Sequence, residues 1–246
     1  GLRYSLNALR PLPFARHPDF PWQELKLHMR KKKGYKSYLV HWERAKGFGV
    51  LLDEELLCNT LIALARSGSL KHMKGMVITR GFRVKLLDNT KTGEITVSGG
   101  KRFRWGNPRE PTKRILNAIV EAFGSMSHIT TALKLLLYFS RFYKIPIPRE
   151  AWSNLLGWSY TCAAKSNQFQ HRMMGNYAAR RASPVHFFTV WKTMTSEPFN
   201  VTPTYADYVL YAKTLMVSRK FRMALDIIRD QLVPYYRSIE DKHQQI

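Results

Sequence analysis

The chain has few acidic residues, few cysteines and no long hydrophobic run. Its 246 residues include 17 Asp and Glu against 40 Lys and Arg, for a formal net charge of +23. Two cysteines cannot make the usual structural zinc set. Cys58 and Cys162 both lie in apolar helical patterns, so we expect two reduced, buried thiols, with a disulfide between them as the alternative. The richest apolar run, residues 135–139, lies between Lys134 and Arg141 and is far shorter than the ~20 residues that cross a bilayer. We therefore expect no transmembrane span.

Residues that build catalytic and metal sites are also scarce. The eight histidines are scattered and form no His-Glu-x-x-His zinc motif. Asp53, Glu54 and Glu55 form a tight carboxylate cluster, which suits a helix N-terminus. Three later aspartates have the spacing of solvent-facing positions on amphipathic helices, namely Asp207, Asp226 and Asp230. We expect no catalytic residue, metal, cofactor or small-molecule substrate, and hence no enzyme.

The positive charge is spread along the chain. Basic residues outnumber acidic ones in each segment, and Glu197 is the only acidic residue between positions 151 and 202. A single basic tail cannot explain such a distribution, which predicts a nucleic-acid partner, RNA above all. The alternative is that Lys and Arg only solvate helix surfaces.

The first fifty residues form a basic arm followed by a short helix in this interpretation. Residues 1–18 carry Arg and Leu without an acidic residue, which suits either the mature edge of a mitochondrial import sequence or an arm that lies along a partner. Basic residues then alternate with aromatic rings from residue 30 to residue 48. In an RNA-binding segment the cations would contact phosphates and the rings would stack on unpaired bases. The alternative is that the rings pack onto the next helix. The predicted phosphate contacts are Arg30, Lys31, Lys32, Lys33, Lys36, Lys101, Arg102, Arg104, Arg180 and Arg181.

Helical periodicity repeats along the chain. Residues 117–136 have the apolar spacing of one helical hairpin. Residues 58–64 repeat the pattern of its first helix and precede a turn at Gly68. Residues 221–228 repeat the pattern of its second helix. Such hairpins bury only their shared faces, so they stack and leave one surface free. The sequence predicts an all-α helical-hairpin repeat, with first hairpin 51–110, central repeats 111–202 and C-terminal hairpin 203–246.

A strand pattern interrupts the helices. Phe82, Val84 and Leu86 alternate with basic residues, and a turn at 88–93 precedes Ile95, which predicts an inserted β-hairpin. Residues 99–105 follow as a flexible, basic tip. They are not a phosphate-binding loop, because Ile95 stands where that motif needs glycine and a basic residue replaces its Ser or Thr.

Several motifs carry a resemblance to known families. Asn-Thr-Leu-Ile at 59–62, Asn-Ala-Ile-Val at 117–120 and the passage 191–205 resemble pentatricopeptide repeats, the helical hairpins of organellar RNA-binding proteins. The later half also resembles the fungal mitochondrial ATPase-expression family, through Ala-Trp at 151–152, Leu-Leu-Gly-Trp at 155–158 and the passage 194–204.

The resemblance implies a protein of the mitochondrial matrix that supports organellar gene expression. It also implies that a polar residue early in each first helix faces a base, which falls on Asn59, Asn117 and Ser153. Helix capping or contact with a neighbouring repeat is the alternative role for each side chain. Two hypotheses follow: a factor that binds a mitochondrial messenger RNA, or a structural or assembly protein of the mitochondrial ribosome that binds ribosomal RNA beside ribosomal proteins.

Overall fold

The computed structural model describes residues 35–49, 52–88, 95–104, 106–164 and 183–244. The predicted basic arm before residue 35 therefore lies outside the described residues. So do the predicted phosphate contacts Arg30, Lys31, Lys32, Lys33, Arg180 and Arg181, together with the side chain of Lys36.

The described chain is mostly helical, with one small antiparallel sheet, as the sequence predicts. Two of its helices contain wider π-helical turns, and each is treated as one helix. The elements in chain order are α1 (Tyr35–Gly47), α2 (Glu54–Arg66), α3 (Leu70–His72 continued by Met73–Gly81), β1 (Val84–Asp88), β2 (Ile95–Gly99), α4 (Lys113–Ser125), α5 (Ile129–Tyr143), α6 (Arg149–Ala163), α7 (Val185–Thr195), α8 (Tyr205–Val217) and α9 (Phe221–Ile227 continued by Ile228–Leu232 and Val233–Gln244).

Three helical hairpins contain the same type of turn between their two helices. Helices α2, α4 and α8 are each 13 residues long, and each is followed by a residue in the left-handed conformation: Gly68 (φ 74°), Ser127 (φ 64°) and Arg219 (φ 60°). The next residue of each turn donates its N–H to the carbonyl five positions earlier, at 2.9 to 3.0 Å. This bond satisfies a carbonyl at the helix end. The turn predicted at Gly68 is confirmed, and the same turn joins the helices of the other two hairpins.

Side-chain caps begin the same three helices. Asp53 accepts a hydrogen bond from the Leu56 N–H, Thr112 from the Arg114 N–H and Thr204 from the Asp207 N–H. Thr204 and Asp207 form a reciprocal capping box, so the expectation of a solvent-facing Asp207 was wrong: its side chain is buried at the helix start, whereas Asp226 and Asp230 are exposed as expected. Each cap satisfies an N–H group that has no partner within the helix, so the start of each hairpin is defined locally.

The first helices of successive pairs pack side by side. Helix α2 contacts α4, α4 contacts α6, and α6 contacts α8, while α3, α5, α7 and α9 each pack on the helix before them. The largest fully buried side chains include Trp152, Phe82, Phe123 and Phe139. Consecutive hairpins therefore share one core; that they form a pentatricopeptide-like solenoid stays a prediction.

The inserted β-hairpin is confirmed, but the basic segment after it is not a flexible tip. Val84 of β1 pairs with Gly99 of β2, and β2 packs on α5. The Lys101 N–H then donates to the Phe82 carbonyl at 2.9 Å, and the Phe103 ring meets the Phe82 ring edge-on at 6.2 Å. The prediction of a free tip was wrong because an aromatic surface on the core receives Phe103.

Candidate nucleic-acid interface

A groove of about 520 Å³ lies between β2, the segment 100–104 and α5. We call it the hairpin groove. It is lined by Val97, Arg102, Lys134, Leu137, Tyr138, Arg141, Phe142 and Lys144.

Helix α5 supplies most of the groove because its two faces differ. Lys134, Tyr138 and Arg141 recur at the i, i+4 and i+7 spacing that places side chains on one face of a helix. Leu135 and Phe139 lie on the other face and are fully buried. The apolar stripe fixes α5 on the core and turns a row of cationic and aromatic side chains toward the β-hairpin.

Two hydrogen bonds join α5 to β2. The Lys134 Nζ donates to the Ile95 carbonyl at 2.8 Å, and the Tyr138 hydroxyl donates to the Gly99 carbonyl. Both carbonyls lie on β2, so these bonds set the position of the strand relative to the helix. The groove therefore has a wall of fixed geometry.

Aromatic side chains form part of the groove surface. The Tyr138 and Phe142 rings stack with centroids 5.7 Å apart and an angle of 11° between their planes. The Arg102 guanidinium carbon lies 5.9 Å from the centroid of the Phe142 ring, within range of a cation–π contact. Gly100 lets the Phe142 ring lie against the backbone of this segment, because a Cβ at position 100 would lie 2.8 Å from the ring. The φ of +112° at Gly100 also favours glycine.

The groove carries charge of one sign. Four of its lining side chains are cationic, and none of its lining residues in the described part of the chain is a carboxylate. Cations attract phosphate oxygens over a distance of several ångströms, while the flat rings offer a stacking surface to an unpaired base. The groove thus combines the two chemical requirements of a single-stranded nucleic-acid site.

Of the three predicted phosphate contacts whose side chains the structure describes, one lines this groove. Arg102 does so, whereas Lys101 and Arg104 are exposed nearby but do not line it. The Lys101 ammonium instead lies 6.0 Å from the Phe103 ring centroid. Five lining residues were not predicted from the sequence: Lys134, Tyr138, Arg141, Phe142 and Lys144. The helical spacing of Lys134, Tyr138 and Arg141 could have indicated their shared face.

The predicted base-contact residues lie elsewhere, on the first helices. Asn59 is exposed on α2, and Ser153 is half-buried on α6. Asn117 on α4 is half-buried, and its Oδ1 atom is buried without a hydrogen-bond partner among the described residues. The structure does not bring any of the three into the hairpin groove.

Asn59 and Asn117 do not occupy equivalent positions. Asn117 precedes the left-handed residue Ser127 by ten positions, and the residue that precedes Gly68 by ten positions is Cys58. Since neighbouring residues of an α-helix point about 100° apart, Asn59 and Asn117 face different directions within their hairpins. Their roles in reading bases stay predictions.

Both cysteines are free and buried, which confirms the expectation of two reduced thiols. Burial raises the pKa of the Cys58 thiol to about 12, and burial raises that of the Cys162 thiol to about 11. Nucleophilic chemistry at either sulfur is therefore suppressed near neutral pH. Within the described ranges, no three His, Cys, Asp or Glu side chains are grouped as metal ligands, and no helix is long and apolar enough to span a bilayer.

Residues 54–173 match the family described as mitochondrial ATPase expression. The chain resembles that family over this stretch. The predicted resemblance to the mitochondrial ATPase-expression family is confirmed, whereas the resemblance to pentatricopeptide repeats stays a prediction. The matched range contains the whole hairpin groove. The match extends far upstream of the residues that suggested it, and the passage 194–204 lies outside it. Neither a curated protein nor a solved structure matches the chain.

Proposed function

We propose that this protein is an RNA-binding factor that supports gene expression in the mitochondrial matrix, and that the hairpin groove holds the RNA. The observation that carries the proposal is the convergence of four cations and a stacked aromatic pair, without a lining carboxylate, inside the range that resembles a mitochondrial expression family. The family match supports a mitochondrial location and a role in expression. The groove supports RNA as the partner.

The chemistry of the groove favours a single strand. A base can stack on Tyr138 or Phe142 only if it is not already paired and stacked within a duplex. The cations beside these rings, Arg102, Arg141 and Lys144, are then placed to meet the phosphates that flank that base. In this proposal phosphates supply most of the affinity, and the first-helix residues Asn59, Asn117 and Ser153 stay candidates for sequence preference.

A second candidate is a structural or assembly protein of the mitochondrial ribosome, with ribosomal RNA and ribosomal proteins as its partners. The observation that favours it is exposed positive charge outside the groove, for example at Lys101 and Arg104. A surface of this kind suits a protein that contacts a large RNA at several places. Both candidates require RNA binding and neither requires catalysis.

The test is to crosslink the protein to RNA within mitochondria and to sequence the attached RNA. Reads on one messenger leader support the expression factor, and reads confined to ribosomal RNA support the ribosomal protein. The purified protein is then titrated with single-stranded RNA at several salt concentrations. An affinity that does not depend on salt contradicts both candidates, because phosphate contacts release counterions.

A further inference from the structure

A second depression, of about 460 Å³, lies between α7, the loop 196–204, α8 and α9. We call it the aromatic pocket. It is lined by Trp191, Thr195, Asn200, Val201, Thr202, Pro203, Tyr208, Tyr211, Ile227 and Gln231. In contrast to the hairpin groove, none of these lining residues carries a charge.

Three rings form one wall of the pocket. The Trp191 ring lies 4.5 Å from the Tyr211 ring and 5.4 Å from the Tyr208 ring, measured between centroids. The fully buried Phe187 ring stacks on Trp191 at 6.2 Å with an angle of 20° between the planes. Packing from two helices therefore holds the Trp191 indole in place, so the wall exists before any ligand arrives.

Amide and hydroxyl groups lie beside this wall. Asn200 and Gln231 are exposed, and neither amide forms a hydrogen bond with another described residue. The Asn200 N–H donates to the Ser196 carbonyl at 3.1 Å, and the Arg149 Nη2 donates to the Thr202 carbonyl at 2.7 Å. The second bond ties the loop to α6, so the backbone that carries the polar groups is anchored.

We propose that the aromatic pocket binds one unpaired nucleobase of the RNA. This inference rests on the proposed function and assigns base recognition to a place outside the first-helix positions Asn59, Asn117 and Ser153. A nucleobase is a flat, uncharged ring with donors and acceptors on its edge, which matches a ring wall flanked by two amides. The volume is that of a small-molecule site.

Other occupants match the lining less well. A phosphate would find no cation among the residues of the pocket. An apolar side chain of a protein would contact the rings but would leave the amides of Asn200 and Gln231 without partners as it displaced their water. A base satisfies both the rings and the amides.

In this proposal the hairpin groove and the aromatic pocket contact different parts of the RNA. The hairpin groove lies against α5, the aromatic pocket lies against α7, and these two helices contact each other. Phosphate contacts in the groove position a strand, and edge contacts in the pocket distinguish one base from another. The uncharged lining of the pocket therefore complements the cationic lining of the groove.

The test uses free nucleosides, because adenosine, cytidine, guanosine and uridine carry no phosphate to meet the cations of the groove, and a variant of the pocket distinguishes binding there from stacking on the groove rings. Ligand-observed saturation-transfer NMR on the full chain should detect binding of at least one nucleoside. The variant Asn200→Gly with Gln231→Ala should abolish that signal. Glycine adopts the φ of +43° found at Asn200, so this variant removes the amide and keeps the loop conformation.

The same variant is then titrated with four RNA oligomers that differ at one central base. The parent protein should prefer one base by about tenfold, and the double variant should lose the preference and retain most of its affinity. The groove variant Arg141→Gln should do the reverse: it should weaken binding to all four oligomers and leave the nucleoside signal unchanged.

Failure of the inference is distinguishable from failure of the proposed function. If no nucleoside binds, or if the double variant keeps the signal and the base preference, the pocket is not a base site. Salt-dependent RNA binding through the groove would then still support the proposed function. If nucleosides bind and RNA does not, both the inference and the proposed function are overturned.

Discussion

Glu54 on α2 caps the first turn of α4 through Thr112. The Glu54 Oε1 accepts a hydrogen bond from the Thr112 N–H at 2.6 Å, and Oε2 accepts one from the Thr112 hydroxyl at 2.8 Å. The Ile115 N–H also donates to Oε1, at 3.3 Å. The sequence indicated only that Glu54 helps to start its own helix. In the structure it joins the first two hairpins, because its buried carboxylate accepts hydrogen bonds from Thr112 and Ile115 at the start of α4.

Replacing Glu54 by Ala should lower the free energy of unfolding by about 2 kcal/mol, because the N–H and hydroxyl of Thr112 would lose their charged acceptor. Urea denaturation followed by circular dichroism measures this loss. Glu55→Ala is the matched control, since Glu55 pairs with Arg114 at 2.8 Å on an exposed surface and should cost less than about 0.5 kcal/mol. Equal losses in the two variants would show that Glu54 has no special capping role.

Two glycines in neighbouring helices should respond oppositely to alanine. A Cβ at Gly124 on α4 would lie 2.6 Å from the Trp158 ring, whereas a Cβ at Gly157 on α6 meets no atom within 4 Å. Gly124→Ala should cost about 1–3 kcal/mol by overpacking. Gly157→Ala should stabilise the helix by about 0.5–1 kcal/mol. Thermal unfolding of both variants compares them directly, and a stable Gly124→Ala protein would mean that α4 and α6 are not packed this closely.

Removing positive charge from the hairpin groove should reduce the salt dependence of RNA binding. Arg141→Gln and Lys144→Asn should each lower the slope of log K against log salt by roughly one. Asn is chosen at position 144 because Lys144 has a φ of 56° and Asn tolerates that conformation. Lys213→Gln, at an exposed position on α8, is the control for net charge. If the control lowers the slope as much as the groove variants do, the RNA is not held in the groove.

Removing a ring from the groove should have a different signature. Phe142→Leu should weaken binding to single-stranded RNA by about 1–3 kcal/mol, the range for one base stacked on an aromatic side chain. The salt slope should stay unchanged, since no phosphate contact is lost. Fluorescence anisotropy with a labelled oligomer measures both quantities. An unchanged affinity would mean that Tyr138 and Phe142 stack only on each other.

The buried thiols should make the protein less stable in alkali. The pKa of Cys58 rises from 9.0 to about 12 on burial, so in this range the unfolded chain releases a proton that the folded chain retains. The contribution of the Cys58 thiol to the free energy of unfolding is therefore complete below pH 9 and is lost as the pH rises toward 12. The free energy of unfolding in urea should therefore be lower at pH 10 than at pH 8, and less so in Cys58→Ala. A pH dependence that is identical in parent and variant would contradict this origin.

The same burial predicts slow alkylation. Iodoacetamide at pH 8 should modify Cys58 and Cys162 slowly in the folded protein and rapidly in urea, because the thiolate is the reactive form. Mass spectrometry over time measures the two rates. Rapid modification without urea would show that one of the thiols is accessible.

Local pattern was sufficient for most of the secondary structure. Apolar spacing located α2, α4, α5 and α7, and alternation located the β-hairpin, since both signals depend on which face of an element is buried. Gly68 marked its turn because glycine favours a positive φ. Ser127 and Arg219 adopt the same conformation without any such marker, so their turns became visible only when the helices on either side were in place.

The sequence by itself determined the strongly basic character of the chain, its helical hairpins and its two inert thiols, because composition and periodicity act within short segments. Tertiary structure alone decided which groups meet. Arg102 and Lys134 line one groove because Phe103 packs the segment 100–104 onto the core. Glu54 contacts Thr112, 58 positions away, because α2 lies against α4. Periodicity tells which face of a helix is covered, whereas only packing decides what covers it.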